Sequence, residues 1–281
     1  MEGNIDGKHN ADFKILFYEV IYLKKVILIS IDGMRPDGLK RCGNDYLDKL
    51  INMLSYTFDA KTVYPSVTLP CHVSMFHSVP PERHGTTTNH YMVPVRPVSG
   101  LVEQLHMAGK RCAMFNSWEP LRNISDPGSL FACEYFKIGL FDRVDEKLTN
   151  KALDFIKDEK PEFVFLYLGE TDEIGGHQFG WMSEEYLKRI HTAINCVKKV
   201  IETVGDEYTV IITADHGGHD RCHGTEIPED MTIPMIFYGE DFKPNNELHG
   251  VTLLDIAPTI TAILEADTPV EWEGKNLLLQ L

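Results

Sequence analysis

The strongest constraint on the fold is where acidic residues fall relative to short apolar runs. Val26–Ile31 stops at Asp32-Gly33, Phe163–Leu168 leads on to Asp172, and Tyr208–Thr213 ends near Asp215-His216. Arg111–Phe115 is a weaker run, and Ile233–Tyr238 is the last. Short runs that are apolar almost throughout suit strands buried on both faces. Helical spacing occupies Leu69–His77, Val98–Met107, Glu146–Lys157, Glu184–Thr203 and Leu254–Leu264. The fourth is the clearest: Ser183 offers a cap, and Tyr186, Ile190, Ala193, Ile194, Val197 and Ile201 recur on one helical face. The alternation predicts an α/β fold with a mostly parallel central sheet and helices on both faces. In such sheets ligands bind beyond the carboxyl ends of the strands. Acids far apart in sequence should therefore meet along one edge.

The chain has 281 residues, which suits one large α/β domain. The pattern begins at Lys24-Lys25, so residues 1–24 read as an N-terminal start-site extension and residues 25–281 as a single catalytic domain. The net charge of -15 argues against a broad footprint for a nucleic-acid polymer. It does not argue against a phosphate substrate, because bound divalent cations reverse the local field inside a ring of carboxylates. Six cysteines without a C-x-x-C pair point to reduced, cytoplasmic usage. No apolar run is long enough to span a bilayer, the Ile15–Leu23 stretch is interrupted by Glu19, and no cleavage site follows it. The expectation is a cytoplasmic protein that does not engage a membrane.

The residues with chemistry at strand ends are Asp32, Asp172, His177, Asp215, His216 and His223. One aspartate after a strand is usually a turn residue or a helix cap. Six Asp and His residues in such places match the ligand types of a two-metal hydrolytic site.

Five segments carry a resemblance to a known family. They are Val26 to Arg35 with Asp32-Gly33, Tyr64 to His72 with Thr68, Arg83-His84-Gly85 through Asn89, Thr213 to Gly217 with Asp215-His216, and Leu253 to Thr259. Together they resemble the alkaline phosphatase superfamily, and within it the nucleotide pyrophosphatase/phosphodiesterase-like group, from about Lys25 to the end of the chain. The resemblance implies an alkaline phosphatase-like fold and two Zn²⁺ ions, with Mn²⁺ or Fe as substitutes. One zinc would take Asp32, Thr68, Asp215 and His216, and the other Asp172, His177 and His223. The family spaces its second-site pair as D-x-x-x-H, whereas Asp172 to His177 has one residue more. Either Glu173 takes the ligand position, or a glycine of Gly175-Gly176 absorbs the insertion. His219 and His249 compete with His223 for the last position.

Thr68 opens a helical pattern, where a hydroxyl gains from the positive end of the dipole. By itself it reads as an N-cap before Pro70. Beside the ligand set, the resemblance makes it the nucleophile of a phosphothreonine mechanism. Asn89 would be a phosphate-contacting amide, with the Thr68 N–H as a second donor. Trp118 is either a stacking surface or ordinary packing. The other histidines, His72 and His84 among them, carry no catalytic role on this reading. The segment at Cys71 lacks the C-x-P-x-R of sulfatases, and the chain looks too short for the cap domain of the mutases. Arg35 is the nearest candidate for the extra cation of a monoesterase. The expected activity is hydrolysis of a phosphodiester or pyrophosphate bond in a small phosphorylated substrate such as a nucleotide, with a phosphomonoesterase or phosphonate hydrolase as the alternative.

Overall fold

The computed structural model describes residues 24–51, 54–139 and 143–280. Apart from Lys24, the proposed N-terminal extension lies outside them. Eight strands form one sheet among the described residues: β1 (Val26–Ile31), β2 (Ser55–Lys61), β3 (Cys112–Asn116), β4 (Ala132–Tyr135), β5 (Phe163–Leu168), β6 (Thr209–Thr213), β7 (Thr232–Tyr238) and β8 (Asn246–Glu247). Their order is β4-β3-β5-β1-β6-β7-β2-β8, with β7 antiparallel to both neighbours and the other pairings parallel. The five predicted strands are present, the second and fourth starting one residue late at Cys112 and Thr209 and the fifth one residue early at Thr232. β2, β4 and β8 were not predicted.

Among the described residues nine α-helices accompany the sheet: α1 (Pro36–Arg41), α2 (Asp45–Ile51), α3 (Thr68–His77), α4 (Pro81–His84), α5 (Leu101–Met107), α6 (Val144–Glu159), α7 (Glu184–Val204), α8 (Pro228–Met231) and α9 (Ile256–Ile263). α1, α2 and α6 pack on α7 in one layer, and α3, α5 and α9 touch one another in a second. Ser183 caps α7 as expected, its hydroxyl accepting from the Tyr186 N–H at 3.2 Å. The predicted Leu254–Leu264 helix is instead a 3₁₀ turn, Leu253–Asp255, with a Thr252/Asp255 capping box that leads into α9. No helix of the described residues is long and apolar enough to cross a membrane.

The centre of the sheet decides where the chemistry sits. β1 lies between β5 and β6, and Ser30 pairs with both Tyr167 and Thr213. All three strands are buried along their whole length. In-register parallel pairing brings the residues after Ile31, Leu168 and Thr213 out of the sheet side by side, so Asp32 and Asp215 emerge next to each other.

Candidate metal centre and active site

Thr68 is the first residue of α3, and Val67 occupies the cap position. The cap alternative for Thr68 therefore fails. Its hydroxyl points to His216, with Oγ1 to Nε2 at 3.2 Å. The orientation of His216 follows from its other nitrogen: Nδ1 lies 2.8 Å from the Gly217 carbonyl oxygen, which can only accept. Nδ1 thus carries the proton, and the Nε2 lone pair faces Asp32 Oδ1 and Asp215 Oδ2, each at 3.3 Å.

The other cluster histidines are pinned the same way. His223 Nδ1 donates to the Ser66 carbonyl at 2.9 Å, and His177 Nδ1 donates to the Arg221 carbonyl at 3.0 Å. Their Nε2 atoms face Asp172, at 3.9 Å from Oδ1 and 3.3 Å from Oδ2 respectively. The rings of His216 and His223 stack with centroids 3.9 Å apart. A backbone carbonyl holding one nitrogen, with the other turned toward carboxylates, is the usual arrangement of metal-binding histidine.

The carboxylates complete the case. Asp32 Oδ1, Asp172 Oδ1 and Asp215 Oδ2 are buried with no hydrogen-bond partner. Burial, then Asp215 and Asp172, push the Asp32 carboxyl well above its ordinary range, and burial also raises Asp215. Asp172 is raised by burial, but hydrogen bonding to His177 and the charges of the nearby histidines outweigh this and hold it low. Acceptors crowded around so few protons suit a cation. Ligand atoms of Asp32, Asp215 and His216 lie within 4.8 Å of one another, as do those of Asp172, His216 and His223. His216 thus stands between two groups, and His177 flanks the second through Asp172. The residues fit two divalent metals.

The off-pattern spacing has a structural explanation. Thr171–Phe179 forms a π-helix, not an α-helix. Its bonds run from i to i+5, so one extra residue per turn is accommodated and Asp172 shares a face with His177. Glu173 is exposed and does not take the position of Asp172. Gly175-Gly176 do not absorb the insertion through unusual dihedrals, since neither has a positive φ. They permit close packing: a Cβ on Gly176 would lie 2.6 Å from the Trp181 ring. Trp181 in turn donates its Nε1–H to the Gly33 carbonyl at 2.9 Å and contacts the rings of His177 and His223. His219 belongs to neither ligand group. It pairs with Asp230 at 2.8 Å, and its Nε2 lies 3.4 Å from Cys222 Sγ.

A cavity of about 550 Å³ opens above these residues, lined by Thr68, Asn89, Trp118 and Lys137 among others. Asn89 Oδ1 accepts from the Leu69 N–H at 3.1 Å, which leaves its amide donors for the cavity. Arg35 does not supply a cation there. It forms a two-point pair with Asp37 at 2.8 and 2.6 Å and donates to the Gly218 carbonyl. Lys137 is the cation on the cavity wall. Sequence reasoning also missed two supporting residues. Tyr167 donates its hydroxyl to Asp32 Oδ2. His72, one turn below Thr68, donates Nδ1–H to the Thr68 carbonyl at 2.8 Å and accepts from Ser30 at 3.1 Å. The i, i+4 spacing from Thr68 was the available signal for His72.

Two family models match successive stretches of the chain: type I phosphodiesterase/nucleotide pyrophosphatase over residues 26–108, and the metalloenzyme superfamily over residues 141–268. Among curated proteins, the chain is 31% identical over 139 residues to a 2,3-bisphosphoglycerate-independent phosphoglycerate mutase of Clostridioides difficile, covering 47% of this chain and 27% of that protein. It is 27% identical over 134 residues to a phosphopentomutase of Alkaliphilus oremlandii, covering 47% and 33%. The chain thus spans roughly a quarter to a third of the length of these curated relatives. Among solved structures, murine ectonucleotide pyrophosphatase/phosphodiesterase 5, an inactive form in complex with AMP, aligns with a TM-score of 0.78 at 14% identity, over 92% of this chain and 99% of that one. The phosphonate monoester hydrolase of Silicibacter pomeroyi aligns with a TM-score of 0.68 at 15% identity, over 90% and 76%. The sheet, the strand-end acids and these matches agree: the chain belongs to the alkaline phosphatase superfamily of metalloenzymes.

Proposed function

We propose that this protein hydrolyses phosphodiester or pyrophosphate bonds with Thr68 as nucleophile and two divalent metals, zinc by ligand type. Asp32, Thr68, Asp215 and His216 would hold one metal, and Asp172, His177 and His223 the other. The observation that carries this reading is the set of three buried aspartates, each with an unpartnered oxygen, around a threonine hydroxyl and histidine lone pairs at the foot of one cavity. Metals bound there would lower the pKa of the threonine hydroxyl and neutralise charge on the phosphoryl group.

The chain's own residues account for the remaining steps. Thr68 Oγ1, fixed at the first turn of α3, attacks phosphorus in line. The bond to the leaving oxygen breaks on the opposite side, giving a phosphothreonine that water then hydrolyses. The Asn89 amide, whose Oδ1 accepts from Leu69 N–H, and the backbone N–H of Thr68 at the start of α3 would donate to the non-bridging oxygens as their charge redistributes. Tyr167 and His72 hold Asp32 and the Thr68 carbonyl in place.

A phosphomonoester or phosphonate substrate is the second reading, favoured by Lys137 on the wall and by the mutase-like stretches. Against a mutase, the described chain between Thr68 and Asp172 holds strands and helices of the sheet layers and no inserted cap. The two readings separate by assaying bis-p-nitrophenyl phosphate against p-nitrophenyl phosphate with zinc-loaded protein. The diester should have the higher kcat/KM, and Thr68→Ala should abolish its turnover. A strong monoester preference would overturn the diesterase reading, and full activity in Thr68→Ala would overturn the nucleophile.

A further inference from the structure

The cavity extends beyond the Thr68 cluster, and its far wall is built at the carboxyl ends of β3 and β4 from Ser117, Trp118, Tyr135 and Lys137. Neighbouring strands lie about 4.8 Å apart, so in the order β4-β3-β5-β1 this wall stands roughly 10 to 14 Å from β1. A group bound there is several bonds along the ligand from the phosphorus beside Thr68.

Three observations show that the wall is made for a polar group. Ser117 is 3% exposed, yet its hydroxyl has no hydrogen-bond partner. A buried hydroxyl left unpaired is costly, so one that lines a cavity calls for a ligand atom. Gly169 keeps the adjoining space open, since a Cβ there would come within 2.9 Å of Ser117 Oγ and 3.0 Å of Ile138. Lys137 is the single Lys or Arg among the lining residues and has no ion pair among the described residues, in a chain of net charge -15. The lining carboxylates do not cancel it. Glu119 is paired with Arg122, Glu173 is exposed on the π-helix, and Asp32 and Asp172 belong to the metal cluster.

We propose that the substrate carries a second anionic group, a carboxylate or a phosphate, on the arm that lies along β3 and β4, gripped by Lys137 with a hydrogen bond from Ser117. This deepens the hydrolase reading above and rests on it for the position of the scissile phosphorus. The substrate class is an ester or anhydride of phosphate with a charged arm, and the aromatic faces of Trp118 and Tyr135 flank that arm.

The test uses the zinc-loaded full chain and two ligands with no ester bond to cleave, hexylphosphonate and 6-carboxyhexylphosphonate, titrated by calorimetry. The carboxylate should tighten binding about tenfold in the native protein, the effect of one charge-assisted hydrogen bond. In Lys137→Ala the ratio of the two dissociation constants should fall to about one. Ser117→Ala should lower the ratio in part without lowering Tm, because its hydroxyl has no partner to lose. A ratio near one in the native protein, or a ratio retained in Lys137→Ala, would overturn the proposal. Failure of the hydrolase reading shows separately, as no turnover of the p-nitrophenyl diester, and leaves the binding ratio to judge the wall by itself.

Discussion

Asp32, Asp215 and His216 leave the ends of adjacent strands whose backbones pair in register, whereas Asp172, His177 and His223 hang from a π-helix and an irregular loop. The inner group is wholly buried; in the outer group the His177 side chain is 38% exposed. The inner geometry is set by main-chain hydrogen bonds that also build the core. The outer geometry is set by side-chain packing around Trp181, which can yield without unfolding the sheet. The inner group should therefore be the more rigid, and the outer group the place where metal affinity is tuned.

Removing one ligand from each half tests this most severely. Asp215→Asn takes away the oxygen facing both His216 and His72. It should cut kcat by roughly a thousandfold or more, on the scale of losing a main electrostatic element of a catalytic site, and added zinc should not restore it. His177→Ala should lower zinc affinity at the outer site by about 10- to 100-fold, the usual cost of disturbing a metal's supporting shell. Activity should return as zinc is raised. Titration followed by activity and by the fluorescence of Trp181, which touches the His177 ring at 5.4 Å, reads both effects. Equal rescue of the two variants would remove the distinction between the halves.

The same contrast explains what could be read from the sequence. β1, β5 and β6 are buried on both faces, so their composition alone announces them. β4 and β8 lie at the two edges, and β2, beside β8, has a mixed exposure pattern over Ser55–Lys61. Such strands owe their form to pairing with neighbours, which no local pattern records. In the site, Asp32, Asp215 and His216 follow directly from the strand ends. The choice of Asp172 over Glu173 does not, because the helical register between Asp172 and His177 depends on Trp181 and Tyr186 packing against Gly175 and Gly176. Arg35 looked available because its partner Asp37, two residues on, lies in the same short turn and helix. Lys137 and Ser117 were invisible since neither lies in a motif and only the fold brings their wall to the cavity.

A second way to sharpen the comparison is to disturb the packing that holds the π-helix. Gly176→Ala inserts a methyl group 2.6 Å from the Trp181 ring. Overpacking of this kind costs about 1–3 kcal/mol. Tm should fall, and zinc affinity at the outer site should weaken while the inner site keeps its own. Unchanged stability together with unchanged affinity at both sites would show that the π-helix does not depend on this contact.

The smallest effect is a pH dependence seated next to the inner half. His84 is 3% exposed and ties α4 to α3. Its Nδ1 accepts from the Thr86 N–H at 3.1 Å, so the ring proton is on Nε2, which donates to Ser74 Oγ on α3 at 2.9 Å. Burial, then the neighbouring His77, pulls its pKa down to about 4. In the unfolded chain it returns to about 6.5. Between these values the unfolded state holds more protons than the folded one, so this contribution is complete above pH 6.5, shrinks as pH falls, and levels off below pH 4. His84→Gln keeps an acceptor and a donor but cannot titrate. The difference in Tm between native protein and variant should therefore change across this window and be flat above it. Parallel curves from pH 7 to pH 4 would show that His84 takes up its proton as readily in the folded protein as in the unfolded chain, and that the anchor of α3 does not rest on its neutral form.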